Sequence, residues 1–130
     1  MPELLGVAHV DLTVRNPRGS ARWYQEVLGL VLLEELDDGG HSMVLLQHPP
    51  SRLTVCLGCH PRSPRDLFDE RRTGLDHLSF LVSDRAELEA WQERLEALGV
   101  EHTPIQDVQY GSVLVFRDPD NIQLELFARP

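Results

Sequence analysis

The sequence contains no lysine, because all twelve residues counted as Lys or Arg are arginines. This absence excludes Schiff-base enzymes, a pyridoxal-phosphate anchor and a P-loop, which all need a lysine amine. Long apolar runs are also absent, and none approaches the roughly 18 residues of a membrane span. The first residues, "MPELLGVAHV", lack the basic and apolar regions of a signal peptide. We therefore expect a cytoplasmic protein with no membrane partner.

Positive charge is scarce as well. The chain has 21 Asp and Glu residues against 12 Arg, a net charge of −9 and a pI near 5.0. The arginines are scattered along the chain and do not form a basic stripe. Such a surface repels a phosphate backbone, so we expect no nucleic-acid partner.

Cysteine occurs only twice, in the segment "CLGCH" at residues 56–60. This segment matches the C-x-x-C-H pattern of covalent haem attachment. The preceding "RLTV" predicts a strand, however, on which positions 56 and 59 face opposite ways. The pattern therefore favours two reduced cysteines in an apolar strand of a cytosolic protein.

The residues that are present form an internal repeat. A shift of 68 residues lays "AHVDLTV" (8–14) on "DHLSFLV" (76–82), so that His9 meets His77 and Trp23 meets Trp91. With 130 residues, of which 42% are hydrophobic, the chain is expected to form a single domain, 1–130, built by tandem duplication.

Each half of the repeat predicts a strand, a helix and three further strands. The helices contain the tryptophans, which we expect to pack between helix and sheet, and end near Gly29 and Gly99. The later strands are predicted at 30–36, 41–48 and 52–58 and at 100–106, 111–118 and 122–128. Module one spans 4–58, a charged linker spans 59–74 and module two spans 75–128. The predicted fold class is α+β, with two tandem βαβββ modules forming a cupped, mainly antiparallel mixed sheet around a cleft.

The strands that carry histidine have one apolar face and one mixed face. His9 and His77 lie on the mixed faces of the two first strands, and Glu125 lies on the mixed face of the last strand. A pseudo-twofold arrangement would make these three residues neighbours. Two imidazoles and a carboxylate can hold a divalent metal and leave positions open for substrate. The alternative is that they are hydrogen-bonded histidines and a solvated glutamate.

These features resemble the vicinal oxygen chelate superfamily of glyoxalases, bleomycin resistance proteins and extradiol dioxygenases. The resemblance rests on the two modules, the histidine that opens each, and the ending "FRDPDNIQLELF" (116–127). It implies that His9, His77 and Glu125 line the cleft as ligands of a divalent ion, which could be Fe, Mn, Zn or Ni. It further implies a small substrate that chelates the metal through adjacent oxygens, and a homodimer.

The resemblance leaves the reaction open, because the sequence departs from each relative. Cys56 stands where glyoxalase I carries a fourth ligand, usually glutamate, and either a thiolate ligand or a neutral packed thiol fits there. Val115 replaces a tyrosine of the extradiol enzymes, and Tyr110 is the nearest phenol. Asp11 replaces a threonine of the fosfomycin enzymes.

Two classes of function follow from this comparison. The first is a metal-dependent dioxygenase or glyoxalase-like lyase, and the alternative is a non-enzymatic protein that sequesters a drug or metabolite. Cys56, Tyr110 and Phe127 are the candidate substrate contacts in either case.

Overall fold

The computed structural model describes all residues, Met1–Pro130, as two compact units. Unit 1 is Met1–Asp66 and unit 2 is Leu67–Pro130. Unit 1 contains β1 (Val10–Thr13), α1 (Pro17–Leu28), β2 (Val31–Asp38), β3 (His41–His48) and β4 (Leu53–Cys59). Unit 2 contains β5 (Leu78–Val82), α2 (Arg85–Ala97), β6 (Gln106–Val108), β7 (Gly111–Arg117) and β8 (Gln123–Ala128).

Each unit has the βαβββ order and one four-stranded mixed sheet. The strand order is β1-β4-β3-β2 in unit 1 and β5-β8-β7-β6 in unit 2. The first strand pairs in parallel with the last strand of its unit, and the other pairs are antiparallel. The predicted α+β class with two tandem βαβββ modules is therefore confirmed, with the eight strands divided between two sheets.

Local sequence signals explain where the helices begin and end. The Asn16 side chain caps α1 by accepting a hydrogen bond of 3.1 Å from the Gly19 amide, and Pro17 occupies the first turn. Gly29 ends the helix in a left-handed conformation. The Asp84 side chain caps α2 in the same way, accepting from the Glu87 amide at 2.8 Å.

Each helix packs on one face of its own sheet, and this leaves the opposite face for the site. The core of unit 1 joins Tyr24 of α1 to Leu46 and Leu57, all with no exposed surface. Leu88 of α2 and Leu124 of β8 are equally buried in unit 2. Fully burying one such side chain stabilises a fold by about 1.5–3 kcal/mol. Trp23 and Trp91 are half-buried, whereas Tyr24 and Leu88 are the helix residues with no exposed surface.

Segment 100–106 does not form the predicted strand. It contains one bridge, His102 to Phe116, and β6 begins only at Gln106. Pro104 has no amide hydrogen to donate to a ladder. The Thr103 amide donates to the Val115 carbonyl at 2.8 Å, and the Val115 amide donates to the Thr103 hydroxyl at 3.1 Å. A side chain thus replaces half of the backbone pairing that a strand would supply.

Neither helix is long and apolar enough to cross a membrane.

Candidate functional site

The mixed face of unit 2 carries a chain of hydrogen-bonded polar side chains. The parallel register of β5 and β8 sets Ser79 opposite Glu125. The Ser79 hydroxyl donates to Glu125 Oε1 at 2.9 Å, and Glu125 Oε2 lies 3.9 Å from His77 Nε2. On its other side, His77 Nδ1 is 2.8 Å from Asp76 Oδ1. The sequence-predicted pair His77 and Glu125 is therefore brought together within this unit.

This arrangement favours one tautomer of a neutral imidazole at position 77. A carboxylate only accepts hydrogen bonds, so Asp76 assigns the proton of a neutral His77 ring to Nδ1. Nε2 then keeps its lone pair, facing Glu125. An imidazole oriented by a carboxylate in this way is typical of histidines that ligate metals.

A charged cluster lies on one side of these hydrogen-bonded side chains. Arg117 forms a two-pronged ion pair with Glu70, at 2.8 and 3.0 Å, and also donates to the Gln123 side chain. The guanidinium lowers the pKa of Glu70 to about 2. Glu70 belongs to the predicted linker, and the amide of Phe68 in that segment donates to the Asp120 carbonyl at 2.9 Å. The second half of the linker is thus bound to unit 2.

An aromatic pair lies on the other side of the hydrogen-bonded side chains. The rings of Tyr110 and Phe127 stack with centroids 6.2 Å apart, and Tyr110 is 69% exposed. Gly111 makes this packing possible, because a Cβ there would lie 2.6 Å from Phe127 Cζ. Phe127 follows Glu125 on the same face of β8 and pairs with Leu81 of β5. Leu81, like Tyr110, is exposed. The two candidate substrate contacts of unit 2 therefore form an apolar surface beside the donors.

The mixed face of unit 1 carries a second imidazole and carboxylate. Nε2 of His9 lies 3.6 Å from Oδ1 of Asp11, and both side chains are more than half exposed. Cys56 pairs with Asp11 across β4 and β1 and is only 7% exposed. Burial first, and then the hydrogen bond to Asp11, raise the pKa of the Cys56 thiol from 9.0 to about 11. A thiol in this setting is protonated near neutral pH and donates to the carboxylate.

Within neither unit do three or more His, Cys, Asp or Glu side chains gather into a metal-binding group. His77 and Glu125 meet in unit 2, whereas His9 belongs to unit 1. Sequence reasoning missed Asp76, although it directly precedes His77. It also treated Glu70 as part of a solvated linker surface, since its contact with Arg117 spans 47 positions and no local pattern encodes it.

Two βαβββ units, each with an imidazole beside a carboxylate at its first strand, define a duplicated α+β class of fold. The family comparison agrees: residues 6–126 match the model of the Glyoxalase/Bleomycin resistance protein/Dioxygenase superfamily. The chain belongs to this superfamily, as the sequence resemblance predicts.

Solved structures show the same fold. A glyoxylase/bleomycin resistance protein/dioxygenase domain from Frankia sp. EAN1pec is 41% identical, with a TM-score of 0.90 over 98% of this chain and 94% of that one. A glyoxalase family protein from Enterococcus faecalis is 23% identical, with a TM-score of 0.77 over 95% and 97%. The fosfomycin resistance protein FosX from Listeria monocytogenes, in complex with Mn(II) and sulfate, is 23% identical, with a TM-score of 0.73 over 98% and 95%. No curated protein matches the chain.

Proposed function

We propose that this protein is a metal-dependent enzyme that acts on a small substrate with two adjacent oxygen donors, by dioxygenase or glyoxalase-like lyase chemistry. The observation that carries the proposal is the pair of His77 Nε2 and Glu125 Oε2, which are 3.9 Å apart. Asp76 is hydrogen-bonded to the His77 ring, and Ser79 donates to the Glu125 carboxylate. FosX, which shares the fold, binds Mn(II).

The donor atoms of unit 2 fit a divalent ion. Nitrogen and oxygen ligands lie about 2.0–2.2 Å from such a metal, so two atoms on one ion are at most about 4.4 Å apart. The 3.9 Å between Nε2 and Oε2 is within this limit. His77 and Glu125 would hold the ion, and the resemblance supplies His9 as the third ligand. Imidazole and carboxylate donors suit Fe, Mn, Zn or Ni.

The surrounding residues have supporting roles in this proposal. Asp76 keeps the proton of His77 on Nδ1, which leaves Nε2 free to bind. Ser79 occupies one carboxylate oxygen of Glu125 and so orients the other. A divalent metal bound here would act as a Lewis acid on the oxygens of the substrate.

We assign the apolar part of the substrate to the aromatic surface of unit 2. Tyr110 and Phe127 present stacked rings next to His77 and Glu125, and stacked rings favour a flat or apolar group. Cys56, the third candidate contact, offers only a buried, protonated thiol, so its contribution would be a hydrogen bond or packing.

We also propose that the protein is a homodimer, as the resemblance implies. Apolar side chains are exposed along the edge strand β2, namely Val31, Leu32, Leu33 and Leu36. Exposed apolar edges of this kind are typical of surfaces that are covered by another chain. Light scattering at micromolar concentration should give twice the 14.8 kDa mass of the chain, and a monomer would contradict the proposal.

Metal titration of tag-free protein tests the proposed function. His9→Ala, His77→Ala and Glu125→Gln should each weaken binding of Mn²⁺ or Zn²⁺ by roughly tenfold or more. Even the loss of a residue that only hydrogen-bonds to a metal ligand typically weakens metal binding by that amount. Their melting temperatures should stay near that of the parent, since the apolar core faces are unchanged. His48→Ala is the matched control, because His48 bonds only to Ser51 in a turn outside the site.

Two outcomes would contradict this function. One is a set of three variants that bind the ion as tightly as the parent. The other is a metal-free parent that binds a planar aromatic compound with no change on adding metal, which would favour the sequestering alternative.

A further inference from the structure

A groove lies in unit 1 between the first turn of α1 and the strands β2 and β3. Its volume is about 360 Å³, which is within the range of small-molecule sites, roughly 300–1,000 Å³. Val44 of β3 and Pro17 of α1 are buried and give the groove an apolar surface. None of the candidate metal ligands or candidate substrate contacts lines it.

The sheet separates this groove from the polar groups of unit 1 described above. Val44 pairs with Leu57 of β4, whereas the next residue, Leu45, pairs with Cys56. Neighbouring residues of a strand point to opposite faces of a sheet. Cys56 and its partner Asp11 therefore lie on one face, and Val44 and the groove residues that share its face lie on the other.

Two carboxylates line the groove, and only one of them is paired. Glu35 and Asp37 are two residues apart on β2, so their side chains are on the same face. Glu35 Oε2 lies 3.4 Å from the Arg18 guanidinium of α1. The Asp37 carboxylate has no hydrogen-bond or ion-pair partner, and the residue opposite it in β3 is Ser42, whose hydroxyl has none either. A negative charge and a hydroxyl are thus available to a ligand.

We propose that this groove binds a small organic cation, namely a primary ammonium group on a short apolar or aromatic stem. The three N–H donors of an ammonium group match the Asp37 carboxylate and the Ser42 hydroxyl, since both accept hydrogen bonds. The stem would contact Val44 and the thioether of Met43. This inference is independent of the proposed function, because it involves neither a metal nor a residue of unit 2.

An anionic ligand is the alternative, because a helix N-terminus and an arginine both attract negative charge. Arg18 is already paired with Glu35, however, and the Asn16 side chain already accepts from the Gly19 amide. Two carboxylates against one guanidinium leave the groove with a charge of −1. The net charge of −9 on the whole chain also favours a cation.

The test is a titration of the full chain with benzylamine, followed by ¹H–¹⁵N NMR. Benzyl alcohol and benzoate are the neutral and anionic compounds of similar shape. Benzylamine should shift the amide signals of Asp37, Ser42 and Met43, and the other two compounds should bind at least about fivefold more weakly, as expected for one charged hydrogen bond at a partly exposed site. High salt should weaken benzylamine binding, because Asp37 is exposed and its charge is screened.

Three variants test the residue assignment. Asp37→Asn should weaken benzylamine binding by roughly fivefold. Asp38→Asn is the matched control, because it removes the next carboxylate of β2, which does not line the groove, and it should change binding by less than about twofold. Arg18→Gln should strengthen binding by roughly twofold or more, since it removes a competing cation and leaves Glu35 unpaired. All three side chains are exposed, so the melting temperatures should stay near that of the parent.

Three results would overturn the inference. The first is that benzylamine does not bind at all. The second is that Asp37→Asn binds benzylamine as tightly as the parent does. The third is that benzoate binds in place of benzylamine and that Arg18→Gln weakens its binding, which would indicate an anion site at the start of α1. None of these results bears on the metal titrations of the proposed function, because no candidate metal ligand is changed.

Discussion

Gly111 connects the stability of unit 2 to the aromatic surface of the candidate site. It begins β7 with a φ of +151°, in a region that residues with a side chain rarely adopt. A Cβ at this position would lie 2.3 Å from the Ala128 carbonyl oxygen and 2.6 Å from Phe127 Cζ. The first of these atoms is backbone in the neighbouring strand, so it cannot move without disturbing the β7–β8 ladder. We therefore expect Gly111→Ala to be strongly destabilising.

The magnitude has two parts. A residue with a side chain in such a conformation costs about 1–3 kcal/mol. Overpacking against a strand and a ring costs about 1–3 kcal/mol more. The free energy of unfolding should thus fall by about 2–6 kcal/mol, which corresponds to a decrease in melting temperature of about 10 °C or more for a chain of this size.

Gly29→Ala is the matched comparison, measured by urea unfolding with circular dichroism. Gly29 has a φ of +71°, and no atom lies within 4 Å of the position that a Cβ would take, so only the backbone cost of about 1–2 kcal/mol applies. NMR chemical shifts of the Phe127 ring should also move in Gly111→Ala, because the new methyl group displaces the ring. Equal losses in the two variants, or an unchanged Phe127 ring, would refute the reasoning.

Two further predictions concern titratable groups. In a Cys59→Ser background, the Cys56 thiol should react slowly with iodoacetamide at pH 8 and faster only as the pH approaches 11, its raised pKa; rapid labelling of the folded protein at pH 8 would contradict this. Glu70 has a pKa near 2 when folded against an ordinary 4.5, so its ion pair with Arg117 stabilises the fold fully above pH 4.5 and is lost as the pH falls toward 2. Acid unfolding curves of the parent and Glu70→Gln should therefore converge at low pH, and a constant difference between them would count against the pair.

Much of the fold could be predicted because local chemistry encodes it. The segment "HSMVLLQH" follows the turn "DDGG", and strand β3 has the predicted bounds, His41–His48. Gly29 ends α1 where the pattern indicated, since glycine is favoured in the left-handed conformation there. The relation between "AHVDLTV" and "DHLSFLV" also predicted that both segments open a βαβββ module.

Other features depend on contacts that no local pattern records. The tryptophans stand at equivalent positions in the repeat, and this favoured a core role, but Tyr24 is the residue with no exposed surface. Segment 100–106 has apolar residues like a strand, whereas Pro104 and the hydroxyl of Thr103 interrupt its ladder. The ion pair of Arg117 with Glu70 joins a strand to a segment that looked like a solvated linker.

The candidate site shows why transfer of residues along a sequence is incomplete. Such a transfer compares a position on one strand with the same position on the equivalent strand of a related protein. Cys56 in place of a glutamate therefore looks like the loss of a carboxylate. Adjacent strands are about 4.8 Å apart, however, and paired residues on one face point into the same space. Asp11 pairs with Cys56 in the parallel register of β1 and β4, so a carboxylate is present on the strand beside Cys56. A comparison along one strand does not reveal this neighbour, and strand register is needed to find it.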